Sequence, residues 1–215
     1  MPSSTGTKVV IAFTGLALFG FLITHLAGNL LILVGPEAFN NYSHALVSNP
    51  LIYLAEAGLA LLFVLHIFKT ATNFGRNRAA RPVGYAVKRP AGHTSRKTLS
   101  STWMIVSGTT ILVFLLLHLK TLKFGAYYPS AEPGVRDLYR LTVETFQKPG
   151  YVIWYVVAMV LVGMHLRHGI TSALQSLGAI PASMTRKVLT AGAIVAAVIA
   201  GGFALIPIWV YFFTQ

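Results

Sequence analysis

Residues 9–34 read VVIAFTGLALFGFLITHLAGNLLILV, twenty-six residues without a charged side chain and with one histidine, His25. A bilayer core of about 30 Å is crossed by around 20 apolar helical residues, so this stretch is long enough to span. Inside lipid it must be helical, because each backbone N–H and C=O has to be bonded within its own segment. The uncharged run is about twice the apolar core of a signal peptide and no convincing cleavage site follows, so it is read as mature protein. Four more stretches share its character: Leu51 to about Thr72, Trp103 to about Phe124, Gly150 to about Leu174, and Val188 to Phe213. Gly35-Pro36, Asn49-Pro50, Lys148-Pro149-Gly150 and Pro181 punctuate them, and Pro207 is expected to kink the last. The expectation is an all-α membrane protein, one transmembrane domain over residues 1–215, with spans at about 9–34, 51–72, 103–124, 150–174 and 188–213.

The composition agrees, since 55% of residues are hydrophobic and 10% charged, where a soluble domain carries roughly 25% charge. Seventeen Lys and Arg against five Asp and Glu give a net charge of +12. In a soluble protein that surplus points to nucleic acid; here the chain is too apolar to be solvated, so the charge belongs at membrane edges and no nucleic-acid partner is expected. Five crossings place the termini on opposite sides. One side collects twelve cationic residues: Lys8, Lys69, seven in the loop after the second span, Arg167, Arg186 and Lys187. The other holds five, Lys120, Lys123, Arg136, Arg140 and Lys148. The positive-inside rule then makes the N-terminus cytoplasmic. The basic loop from Asn73 to Ser101 is either a topology signal or a docking surface for a soluble partner.

The chain has no cysteine, which removes disulfides, iron-sulfur ligation, thiolate zinc sites and c-type haem attachment. Histidine is the soft ligand available in number. Four of the seven histidines, His25, His66, His118 and His165, lie within spans, and an ionisable group in hydrocarbon is a functional hypothesis by default. Each stands 15 or 16 residues beyond its helix entry, roughly 22 to 24 Å into a core of about 30 Å. Because consecutive spans run in opposite directions, His66 and His165 come out near the cytoplasmic face, and His25 and His118 near the far face. The two levels differ by roughly 16 Å. Two histidine pairs, each drawn from two helices at one level, match the axial ligation of two six-coordinate b-type haems. The plainer reading of any one such histidine is a helix-packing hydrogen bonder. A proton-relay transporter is the rival of another class, but the second half shows no inverted repeat of the first, and Glu56 is the only carboxylate in a span. Gly15, Gly20, Gly28, Gly108, Gly163 and Gly169 serve either the approach of a flat ring or helix packing.

Several segments carry a resemblance along nearly the whole length. They are Lys8-Val9-Val10 through Thr14-Gly15-Leu16 to His25-Leu26-Ala27-Gly28-Asn29-Leu30; the loop Gly35-Pro36-Glu37-Ala38-Phe39-Asn40-Asn41-Tyr42-Ser43-His44; Pro50-Leu51 through Ala55-Glu56 to His66; Ser107-Gly108 leading to His118; and His165-Leu166-Arg167-His168-Gly169 continuing to Leu177-Gly178. In order and spacing the chain resembles the cytochrome b membrane-anchor subunit of succinate:quinone oxidoreductases (succinate dehydrogenase, fumarate reductase), in its five-helix, two-haem form. The resemblance implies two haem b groups, one ligated by His66 and His165 on the side of the soluble subunits, the other by His25 and His118, with His168 near a propionate. It implies partner subunits, a flavoprotein and an iron-sulfur protein, and electron transfer to membrane quinone in a bacterial plasma membrane. The enzyme would be the assembled complex; this chain would not act on succinate by itself. Menaquinone is the commoner quinone of this class. Candidate quinone contacts are Glu37, Asn40, Asn41, Tyr42, His44 and Glu56, with His44 and Glu56 first. Some relatives carry a glutamate, linked to a proton path, where this chain has Gly163, and polar propionate partners where it has Ile11 and Ala12. On chemistry alone Lys97, Ser101, Thr102, Arg167 and His168 are the substitutes. A cytochrome b subunit of a formate dehydrogenase or hydrogenase is the nearest alternative, and the segment Glu37 to His44 argues against it.

Overall fold

A backbone that cannot reach water bonds to itself, and the computed structural model, which describes residues 4–80 and 103–214, is mostly helical, its longest non-helical stretch among the described residues being 124–137. Helix α1 is Ser4–Asn29, closed by a 3-10 turn at Leu30–Leu33, and α2 is Pro36–Val47. Helix α3 is Leu51–Ala79, and α4 is Met104–His118, extended by a π turn at Leu119–Lys123. Helices α5 (Leu138–Phe146), α6 (Pro149–Ser176) and α7 (Thr185–Phe213) follow. Among the described residues there is no strand, only an isolated bridge between Pro129 and Arg136. Five helical stretches are long and apolar enough to cross a membrane: Thr5–Leu33, Leu51–Ala79, Met104–Lys123, Pro149–Ser176 and Thr185–Phe213. The chain is an all-α membrane protein.

The five expected spans are recovered, the second, fourth and fifth with longer ends, the first starting earlier, and the third one residue shorter at each end. Helix α3 runs seven residues past Thr72, because a helix need not stop where hydrocarbon does. Its 29 residues rise about 44 Å, so the turns bearing Arg76 and Arg78 project beyond a core of about 30 Å. Helix α7 continues through the buried Pro207 without a break in its assignment. Chain direction changes where proline pre-sets a first turn, at Pro36 and Pro149. Gly35 precedes the first of these with φ 135°, a conformation that a side chain would strain.

Helices α1, α6 and α7 form the packed centre. The α6–α7 contact is the most extensive, and Ala158, Ala196 and Val210 are almost wholly buried in it. Lipid tails are as apolar as leucine, so helices associate through close packing of small residues. Gly192, Ala196 and Ala200 recur every fourth residue on α7; a Cβ at Gly192 would meet Thr171, and one at Gly163 would stand 3.0 Å from the Ala200 Cβ. Helix α3, by contrast, has no buried residue. It packs along α1 and has no comparable interface with α4, α6 or α7.

Two short helices absent from the five-span reading, α2 and α5, form a lid where α1, α4 and α7 end. Asn40, buried, joins them: its Nδ2 donates to Asp137 Oδ1 (2.8 Å) and its Oδ1 accepts from Tyr139 N (2.8 Å). Asp137 also caps α5 by accepting from Arg140 N. Arg136 donates to the carbonyls of Leu122, Lys123, Gly125 and Ala126, closing the end of α4. Gly125 must be glycine there, since a Cβ would fall 1.9 Å from the Thr121 carbonyl oxygen. On the lid surface, the Glu144 carboxylate is held below the usual range by hydrogen bonds first from Arg140 and then from Tyr128.

Candidate functional site

The four membrane histidines stand on four helices, His25 on α1, His66 on α3, His118 on α4 and His165 on α6. They meet in pairs. The rings of His25 and His118 lie 5.9 Å apart between centroids at 85°. His66 and His165 lie within electrostatic reach of each other. Among the described residues no three ligand-type side chains converge, so the imidazoles are available two at a time.

Each ring is held at Nδ1. Thr14 Oγ1 of α1 is 3.1 Å from His66 Nδ1, and Ser107 Oγ of α4 is 3.2 Å from His165 Nδ1. Tyr155 OH of α6 is 3.2 Å from His118 Nδ1, and Asn29 Nδ2, one turn on along α1, is 3.4 Å from His25 Nδ1. No hydrogen bond among the described residues is made by any of the four Nε2 atoms. Toward the hydroxyls of Thr14, Ser107 and Tyr155, Nδ1 can donate and leave Nε2 bare, the state of an imidazole that ligates a metal; toward the Asn29 amide nitrogen, a donor only, His25 Nδ1 accepts.

Glycines bring two of these rings against helix backbone. A Cβ at Gly15 would stand 3.1 Å from His66 Cε1, and one at Gly108 would stand 3.5 Å from His165 Cε1. The other candidate glycines divide: Gly28 receives the ring of Tyr42, Gly163 packs against α7, and Gly20 and Gly169 have nothing within 4 Å. The His25–His118 pair is instead walled by aromatic rings, with Phe21 stacked on His25 at 5.0 Å, Phe114 stacked on His118 at 5.6 Å, and Phe203 5.8 Å from His25.

The spacing of the two levels follows from the sequence of α1 and α4. Thr14 precedes His25 by eleven residues, and Ser107 precedes His118 by the same number. Eleven residues make close to three full turns, so both members of each helix share a face, separated by about 16 Å along the axis. The Thr-Gly and Ser-Gly dipeptides thus hold one imidazole pair, and the histidines three turns on form the other. This repeat was legible in the sequence. The hydrogen-bonding roles of Thr14, Ser107, Asn29 and Tyr155 were not anticipated.

Three buried polar atoms lack a partner among the described residues: Thr70 Oγ1, Arg136 Nε and Trp154 Nε1. Thr70 is one turn beyond His66 on α3, Trp154 adjoins Tyr155, and Arg136 grips the carbonyl of Leu122, one turn beyond His118. Each therefore lies at the level of an imidazole pair or one turn outside it.

The remaining sequence candidates scatter. Glu37 is exposed in the first turn of α2, and Asn40 has both amide ends occupied within the lid. Tyr42 lies on α1 at Gly28, and His44 is bonded by Ser48, the residue that follows its helix. Glu56 forms an ion pair with Lys123, joining α3 to the π turn after His118. Arg167 is exposed, and His168 is half-buried within electrostatic reach of His165. Lys97, Ser101, Thr102 and most of the basic loop lie outside the described residues. Comparison of the chain with protein-family models, curated proteins and solved structures found no match.

Proposed function

We propose that this chain is a dihaem cytochrome b, the membrane-anchor subunit of a succinate:quinone oxidoreductase, passing electrons between an iron-sulfur subunit and membrane quinone. The observation that carries the reading is the pair of imidazole couples, each built from two helices and set about 16 Å apart along the bundle. His25 and His118, whose ring centroids stand 5.9 Å apart, are the two imidazoles that would hold one of the haem irons. The unburied α3 fits the same reading, because among the described residues a helix that carries His66 but packs mainly on α1 leaves space beside it for a large apolar ring. The three orphan polar atoms fit the carboxylates that such a ring bears.

When bound, the haems would supply one-electron carriers. His66 with His165, and His25 with His118, would hold them. Tyr42, His44 and the Glu56–Lys123 pair are the protic groups we assign to the mouth of a quinone site at the lid end, and menaquinone is the proposed partner. The excess of Lys and Arg at the opposite end, Lys8, Lys69, Arg76 and Arg78 among them, supports a cytoplasmic orientation of that end, and the proposed setting is a bacterial plasma membrane in which the flavoprotein and iron-sulfur subunits would dock there. Pyridine haemochrome analysis of the purified chain is the test. About two haem b per polypeptide is the expected result, and a colourless, correctly folded protein would end the reading.

A further inference from the structure

We propose that Thr14 and Ser107 fix the tautomer of the His66–His165 pair and raise its electron donation, so that the two imidazole pairs are chemically unequal ligands. The inference rests on the cytochrome reading and concerns the chain's own hydrogen bonds.

A hydroxyl has one proton and two acceptor lone pairs. The Thr14 hydroxyl donates to the Val10 carbonyl at 2.8 Å, with the Ile11 carbonyl at 3.2 Å, and the Ser107 hydroxyl donates to the Met104 carbonyl at 3.2 Å. Carbonyl oxygens only accept, so each hydroxyl proton is committed to its own helix. What either hydroxyl offers the imidazole is a lone pair, and Nδ1, at 3.1 and 3.2 Å, must carry the proton that meets it. Nε2 is then left bare, the form that can bind a metal. The opposite tautomer would leave Nε2–H as a donor with no partner among the hydrogen bonds of the described residues. Ser107 is among the most completely buried side chains and Thr14 is 3% exposed, so water does not compete for either hydroxyl.

The other pair is held differently. His25 Nδ1 faces an amide nitrogen of Asn29, whose closer bond runs to the His25 carbonyl at 2.7 Å, and His118 Nδ1 faces the phenol of Tyr155. Neither partner is a hydroxyl whose proton is already spent. An acceptor on Nδ1–H pushes density toward Nε2 and makes the imidazole a more basic ligand. A more basic ligand favours the oxidised metal, so Thr14 and Ser107 lower the potential of the centre they serve. They are positioning residues that act through His66 and His165.

The test is an optical and EPR redox titration of intact membranes containing the full chain, comparing Thr14→Val and Ser107→Ala with the conservative Thr14→Ser and Ser107→Thr. The expected result is an upward shift of one of two midpoint potentials, the same one in Thr14→Val and Ser107→Ala, restored by the conservative variants while the other stays put. Should Thr14→Val lose that centre outright, retention of it at the unaltered potential in Thr14→Ser supports the proposal, and its loss there too overturns it. Unshifted potentials, an equal shift of both centres, or different centres answering to Thr14 and Ser107 also overturn it. A wild-type chain without haem would sink the cytochrome reading itself, which the unmutated sample reveals on its own.

Discussion

Removing histidines two at a time separates the pairing from any looser arrangement of four intramembrane imidazoles. The levels of Thr14 and His25 on α1, and of Ser107 and His118 on α4, are about 16 Å apart, beyond the 7–10 Å over which substitutions ordinarily couple. Loss of one ligand should therefore empty one site and spare the other. His25→Ala is expected to reduce haem from about two per chain to about one, and adding His118→Ala should leave it at about one, because both changes strike a single site. Adding His66→Ala to His25→Ala should leave none. The readout is pyridine haemochrome per polypeptide in protein that retains its helical circular dichroism. The reasoning is refuted if His25→Ala/His118→Ala loses both haems, if His25→Ala/His66→Ala keeps one, or if His25→Ala with His165→Ala behaves like either single variant.

Further outcomes follow from the packing. Gly15→Ala should displace the His66 ring, its Cβ standing 3.1 Å from Cε1, whereas Gly108→Ala, with 3.5 Å to His165, and the open Gly20→Ala should be tolerated; occupancy of the His66–His165 site in spectra distinguishes them. Gly163→Leu should wedge α6 from α7 and cost about 1–3 kcal/mol in a detergent unfolding titration, while Gly169→Leu, with no neighbour within 4 Å, should be near neutral. Asn40→Ala removes two lid hydrogen bonds, one to a carboxylate, and should cost about 2–4 kcal/mol, read as faster amide exchange in α2 and the first turn of α5. The Glu144 carboxylate is depressed in the fold, so its tie to Arg140 and Tyr128 is present through neutral pH and is lost as pH falls below the ordinary carboxylate range; Glu144→Gln should abolish that acid loosening of the lid, measured by the same exchange.

The lid shows where sequence reading stops. Helices α2 and α5 have 12 and 9 residues, too short for the hydropathy signal that marks a span and too dependent on Asn40 and Asp137 to be seen one at a time. Glu56 illustrates the same limit. As the only carboxylate in a span it reads as a candidate quinone contact, and only the π turn after His118 reveals that Lys123 reaches it. The glycines of the spans were ambiguous between ring approach and helix packing; the fold sets Gly15 and Gly108 against the imidazoles of His66 and His165, and Gly163 against α7.

What the sequence by itself determined was position along the membrane normal. The spans and the heights of His25, His66, His118 and His165 along their helices follow from counting residues, because lipid forces a helix and a helix has a fixed rise of about 1.5 Å per residue. Which helix stands beside which, and so which hydroxyl meets which imidazole, only the tertiary structure decided. Lipid exerts no hydrophobic force that would choose between apolar faces, and the choice falls to small residues and a few hydrogen bonds whose partners are 52 and 58 positions apart in the chain.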